Sequence, residues 1–171
     1  MEDRIRKERK WFWAWQDEAE EGWLRKMSQE GWHLSKIEPL GTYTFKEGEP
    51  DDYIYRMDYQ NKMKNELVDY YQIFSDAGWE HIGEVAGWHY FRKIYQADDT
   101  TEIFTDAESK IAKYQRLLLY LIFPIVLIIN SIVILNRAGF FPLRIFLVPC
   151  LVLMLWAEYR IWRRIQELKR L

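Results

Sequence analysis

Three histidines, His33, His81 and His89, and one cysteine, Cys150, are the side chains best suited to ligating a metal or carrying a nucleophile. Their spacing suits neither task. No histidine stands at metal-ligand spacing from a cysteine or from another histidine, and all three are expected at the surface or at strand edges. The acidic pairs Glu20/Glu21 and Asp51/Asp52 are adjacent residues, which point apart on a helix or strand and read as solvated faces. There is no phosphate loop, no nucleophile elbow, no dinucleotide fingerprint and no Cys–His pairing. The expectation is therefore no catalysis, no metal and no cofactor. An enzyme acting on a lipid or peptide would need a close pair of carboxylates in a deep pocket, one with a raised pKa.

The aromatic residues are the stronger signal. Nine Trp and eleven Tyr in 171 residues exceed routine packing. Most are expected in the core, because Trp fills volume in a small domain. The functional expectation is a concave aromatic pocket on an open sheet face. Trp32, Trp79 and Trp88 would line it, and Glu38, Asp58 and Glu84 would supply acids at its rim. Such a pocket takes a small cationic or aromatic ligand through cation–π contact.

Positioning these residues requires an α+β domain. "KWFWAWQ" reads as a strand. Asp17 reads as the N-cap of a helix, with Glu20 completing a capping box and Ala19, Trp23, Leu24 and Met27 on the apolar face. Gly31 stops that helix. "WHLSKIE", "TYTFKE" and "YIYRMDY" are strands, the first two joined by the turn "PLG". A second helix runs from about Asn65 to Ala77, with Leu67, Tyr70, Tyr71, Phe74 and Ala77 at helical spacing, and Gly78 ends it. "WEHIGEV" and "WHYFRKIY" form a hairpin around Ala-Gly.

The two halves look like one unit used twice. "MSQEGWHLSKIEPLGTYTFKE" is similar to "FSDAGWEHIGEVAGWHYFRK". Each half reads strand, helix, Gly-Trp, strand, turn, strand. Duplicated βαββ units predict a mainly antiparallel sheet of about six strands, with two helices on one face. By element order this resembles the modules of the GyrI-like fold.

The chain is split by composition. Residues 1–110 hold 15 basic and 24 acidic residues, a balance of −9, and residues 111–171 hold 9 and 2, a balance of +7. An acidic front half argues against nucleic-acid binding. The 20 residues 117–136 are uncharged and 15 of them are Leu, Ile, Val or Phe, enough for a membrane helix. Pro124 is expected to kink it and Asn130 to hydrogen-bond a neighbouring helix. A second run starts near Ala138, with Pro142 in its first turn, Arg144 near its end, Pro149 as a kink, and Trp156, Tyr159 and Trp162 in the aromatic belt. The short connection makes the pair an antiparallel hairpin. Cations cluster on the side of both termini, which places those termini in the cytosol.

The expected division is a cytosolic domain over 1–100, a linker and juxtamembrane helix over 101–116, and a transmembrane hairpin with a basic tail over 117–171. The linker is followed by a helix capped at Thr105 with Glu108 that continues unbroken into the membrane. Cys150 has no partner for an internal disulfide, and the N-terminus does not read as a cleavable signal peptide.

"EEGWLRKMSQEGWHL", "GTYTFKEGEPDDYIYRMDY", "YYQIFSDAGWE" and "WHYFRK", followed by a membrane hairpin, resemble a bacterial membrane-protein family, the domain of unknown function 2812. The resemblance implies a regulatory or sensing role and a PadR-like transcriptional regulator as companion. It supplies no catalytic residues. The reading is a membrane-anchored cytosolic sensing or docking domain, with the lipid bilayer, a partner regulator, a small cationic or aromatic ligand, or a second copy of the chain as partners. The alternative is an accessory or structural subunit of a membrane transporter, acting through Asn130, Arg144 and the prolines of its hairpin.

Overall fold

The computed structural model describes residues 4–60, 64–96, 107–137, 139 and 142–170. They form two compact units, Met1–Thr105 and Asp106–Leu171.

The first unit runs β1 (Ile5–Arg9), α1 (Asp17–Gln29), β2 (Trp32–Glu38), β3 (Thr42–Glu47), β4 (Tyr53–Tyr59), α2 (Lys64–Asp76), β5 (Glu80–Val85) and β6 (Trp88–Ile94). The duplicated βαββ order holds, and the architecture is α+β. The strands form two antiparallel three-stranded sheets, β1-β3-β2 and β4-β6-β5, rather than one sheet of six. The strands where the sheets adjoin, β2 and β5, each carry a bulge, at Leu34/Lys36 and at His81/Gly83. Both bulges fall three residues after the Trp of a Gly-Trp pair. A bulge twists and bends its strand, and the repeat of its position marks the duplication.

Helix α1 packs against both sheets. Its Leu24 and Met27 share a core with Leu34, Ile37, Tyr43 and Phe45 of the first sheet and with Tyr55, Met57 and Tyr90 of the second. Helix α2 packs Tyr70 and Phe74 on Ile54, Trp79 and Phe91. Neighbouring strand residues face opposite sides, so Tyr55 and Tyr90 point to α1 while Ile54 and Phe91 point to α2. The helices thus cover opposite faces of the second sheet, not one shared face. Gly31 ends α1 at φ +83°, and a Cβ there would lie 2.8 Å from the Gly48 carbonyl oxygen.

The predicted strand over "KWFWAWQ" is displaced. The strand is Ile5–Arg9, and residues 10–16 are irregular. Pairing explains this: β1 runs along β3 from Ile5↔Lys46 to Arg9↔Thr42, and β3 begins at Thr42. Beyond Arg9 the ladder has no partner, and the Lys10 N–H instead donates to the Gly41 carbonyl at 2.8 Å. Gln16, not Asp17, occupies the N-cap of α1, without a side-chain cap bond, and Asp17 and Glu20 lie inside the helix, buried. Ala19 and Ala77 are exposed, off the apolar faces expected for them.

The second unit is a hairpin of α3 (Ala107–Arg137) and α4 (Arg144–Leu168). Both helices are long and apolar enough to cross a membrane. The 31 residues of α3 are unbroken, with Pro124 inside, and span about 46 Å at 1.5 Å per residue. The proposed cap at Thr105 with Glu108, and the linker before it, lie outside the described residues. Asn130 Nδ2 donates to the Val126 carbonyl of its own helix at 2.8 Å, not to a neighbour. Helix α4 begins at Arg144, so Pro142 precedes it, and the Arg144 guanidinium bonds the Asn136 side chain across the turn.

Candidate ligand-binding site

Helix α1 presents more than an apolar stripe to the interior. Its buried residues are Asp17, Glu20, Glu21, Leu24, Met27 and Ser28. That sequence of steps is one helical face, and its first turn is acidic. Glu20 and Glu21 are therefore buried side chains, not the solvated pair expected from their adjacency. Each faces a different neighbour. Glu21 Oε1 accepts the Met57 backbone N–H at 2.9 Å, and Oε2 lies 3.3 Å from the Arg56 guanidinium. Glu20 Oε1 accepts hydroxyls from Tyr43 at 2.6 Å and Tyr90 at 2.8 Å. Tyr43 belongs to the first sheet and Tyr90 to the second, so one carboxylate joins both sheets to α1.

Burial pushes the Glu20 carboxyl above the usual carboxylate range, and nearby Asp17 adds to the rise, while the two hydroxyls pull the other way. Both phenols are driven upward in turn, first by burial and then by the Glu20 charge, so they remain protonated donors.

Glu20 and Asp17 open onto a cavity of about 240 Å³. Its walls come from three places. The loop over residues 11–14 brings Trp11, Phe12 and Trp13; the β2–β3 turn brings Glu38, Pro39 and Leu40; the β5–β6 turn brings Val85, Ala86 and Trp88. Tyr43, Met57 and Tyr90 form part of the floor. Trp13 stacks on Trp15 at 5.3 Å between centroids and meets Trp11 edge-on at 5.9 Å. The aromatic loop is thus a wall braced by its own rings.

Of the six residues expected at a site, Glu38 and Trp88 reach this cavity. Glu38 is held by Lys36 at 2.6 Å, which lowers its pKa. The other four do not line it. Trp79 is buried in the α2 core. Trp32 packs against the α1 core, under the Arg6 guanidinium at 5.5 Å. Asp58, fully buried, accepts the Tyr70 hydroxyl and the Gln60 amide, both at 2.9 Å. Glu84 lies on the α2 side, 3.3 Å from the Tyr71 hydroxyl and 3.5 Å from His89 Nδ1. Burial and the Glu84 charge push Tyr71 up to about 12.

His89 is a correction to the expected surface histidines. It is buried on the central strand β6, and burial lowers its pKa. Among the described residues no group of three His, Cys, Asp or Glu side chains is placed to hold a metal ion.

The residues missed by sequence reasoning are Asp17, Glu20, Tyr43, Tyr90, Trp11 and Trp13. One signal was present for the acids: Asp17, Glu20 and Glu21 stand seven, four and three positions before Leu24, in phase with the apolar stripe.

The family described as protein of unknown function (DUF2812) matches residues 16–126, more than half of the chain. No curated protein matches the chain. No solved structure matches it either.

Proposed function

Given that the chain belongs to the DUF2812 family of proteins of unknown function, we propose that it is a membrane-anchored sensing domain whose aromatic pocket binds a small organic cation. The observation that carries this reading is the union, in one cavity, of tryptophan walls with two buried carboxylates on its floor side. Ring faces attract a cation, most strongly where water is excluded. A carboxylate kept in a low-dielectric site costs stability unless something compensates its charge. A bound cation would do so at Glu20. The cavity volume, below the range of drug-sized sites, limits the ligand to a few heavy atoms around the charge.

In this reading the hairpin spans the bilayer, with both termini on the cytosolic side. Lys113, Arg116, Arg160, Arg163, Arg164, Lys169 and Arg170 flank one end of the two helices, against Arg137 and Arg144 at the other. The sensing domain then samples the cytosol close to the inner leaflet.

The test compares choline with its uncharged carbon analogue on the detergent-solubilised full chain, by calorimetry and tryptophan fluorescence. Choline is expected to bind, and the analogue to bind at least about tenfold more weakly, a difference of about 1.4 kcal/mol. Trp88→Ala and Glu20→Gln should each weaken choline by a similar factor. Equal affinity for the charged and uncharged probes would overturn the proposal.

A carboxyl with a raised pKa beside a second carboxylate is also what acid–base chemistry requires. Turnover of the bound molecule is therefore the second reading, and recovery of unaltered ligand after prolonged incubation would count against it.

A further inference from the structure

The first sheet has two unlike faces. Leu34, Ile37, Tyr43 and Phe45 point inward to α1. The pairing register fixes what points outward. The rungs are Ile5–Lys46–His33, Lys7–Thr44–Lys36 and Arg9–Thr42–Glu38. Among the described residues this face carries the cations Lys7, Arg9, Lys36 and Lys46 and the acid Glu38, which Lys36 neutralises at 2.6 Å. The surrounding half of the chain, residues 1–110, carries a balance of −9. Within this unit no described helix covers the face, and large apolar residues stand exposed at its ends. Ile5 is 61% exposed where β1 begins, and Trp11 at 59% and Leu40 at 67% are exposed where β1 leaves the sheet.

We infer that this outer face of the first sheet is a docking surface for an anionic lipid bilayer. The charge is complementary to phosphate-bearing headgroups. Trp beside Lys and Arg is the composition that settles at a membrane–water interface. The inference rests on the reading of the hairpin as membrane-spanning. A tethered domain meets the lipid surface at high effective concentration, so a few cations suffice to hold it there. A nucleic acid would also be drawn to the cations, but it gives exposed Ile5 and Leu40 no apolar phase to enter. The occupied face would lie next to the pocket mouth, which Trp11 and Leu40 share.

The experiment uses the full chain in lipid nanodiscs, neutral or containing about one-third anionic lipid. On a Cys150→Ser background, Thr44→Cys places a fluorescent label mid-face, and Ile73→Cys on the exposed side of α2 serves as control. Acrylamide, an uncharged quencher, reads accessibility. The label at position 44 should be quenched about threefold less in anionic than in neutral discs, and about 0.5 M salt should abolish the difference. Lys7→Glu with Arg9→Glu should abolish it too, while position 73 stays unchanged throughout. Equal quenching at position 44 in both disc types, with the protein co-purifying with both, would overturn docking while leaving the anchor intact. Failure to co-purify with either disc type would overturn the anchor, and docking with it. Preferential capture of the chain by single-stranded DNA over free anionic vesicles, at equal phosphate and salt, would overturn the choice of partner.

Discussion

Glu20 is the residue on which the most physics converges. It is 6% exposed, joins two phenols from two sheets, and borders the cavity. Because burial raises its folded-state pKa above the ordinary 4.5, the folded state holds its proton more tightly than the unfolded chain. Its contribution is complete below about pH 4.5 and is lost as pH rises through the raised value. His81 and His89 act with the opposite sign. Burial depresses both, so their contribution is present above the unfolded value and lost as pH falls through the folded one. The comparison that isolates Glu20 is therefore wild type against Glu20→Gln. The amide still accepts both hydroxyls and carries no charge. It should gain on wild type as pH rises from 4.5 to 8, read as a melting midpoint that climbs relative to wild type across that range. A constant difference across that range would show that Glu20 is not a strained carboxylate. Adjacency made Glu20 and Glu21 look solvated. Only contact with two sheets at once makes so broad an arc of α1 interior.

At the scale of elements, the pocket wall depends on one backbone clasp. Residues 10–16 leave the ladder and are tied down by the Lys10–Gly41 hydrogen bond. Gly41 has φ +69°, and a Cβ there would stand 2.2 Å from the Lys10 carbonyl oxygen. Gly41→Ala is thus strained twice, by conformation and by collision with backbone. It should cost about 2–4 kcal/mol and loosen the Trp11–Trp13 wall. Chemical denaturation measures the first effect, and tryptophan emission shifted to the red measures the second. A variant with native stability and native emission would show that the clasp does not hold the wall. The strands β2, β3 and β4 match their sequence patterns to the residue, and β5 and β6 lie within one, because alternation and the Gly-bearing turns are local properties. The aromatic run deceived for a non-local reason: its alternation suits a strand, but a strand needs a partner, and β3 starts too late to provide one.

For the whole molecule the decisive feature is the division into two units of opposite charge balance. The hairpin exposes Leu119, Phe123, Ile145 and Phe146, on two helices long and apolar enough to cross a membrane. In the topology proposed above, two crossings return the chain to the side on which it started. Single cysteines introduced at Arg4 and Arg170, on a Cys150→Ser background, should both resist a membrane-impermeant thiol reagent added to intact cells, and both should react after permeabilisation. Labelling of either from outside would reverse or refute the orientation proposed above.

The membrane-length runs, the βαββ duplication, the turns and the charge asymmetry could be read directly from the chain. Each depends on neighbours a few residues apart, where periodicity and glycine chemistry act. Of the six residues that the sequence suggested for a pocket, Trp88 and Glu38 line the cavity; both sit at strand ends beside turns. The pocket itself was decided by tertiary structure. Its floor joins Glu20, Tyr43 and Tyr90, up to 70 positions apart, and its wall is a segment that sequence assigns to a strand. Which of two opposite strand faces meets α1, and which meets α2 or solvent, follows from how the sheets pack, and no local pattern encodes that choice.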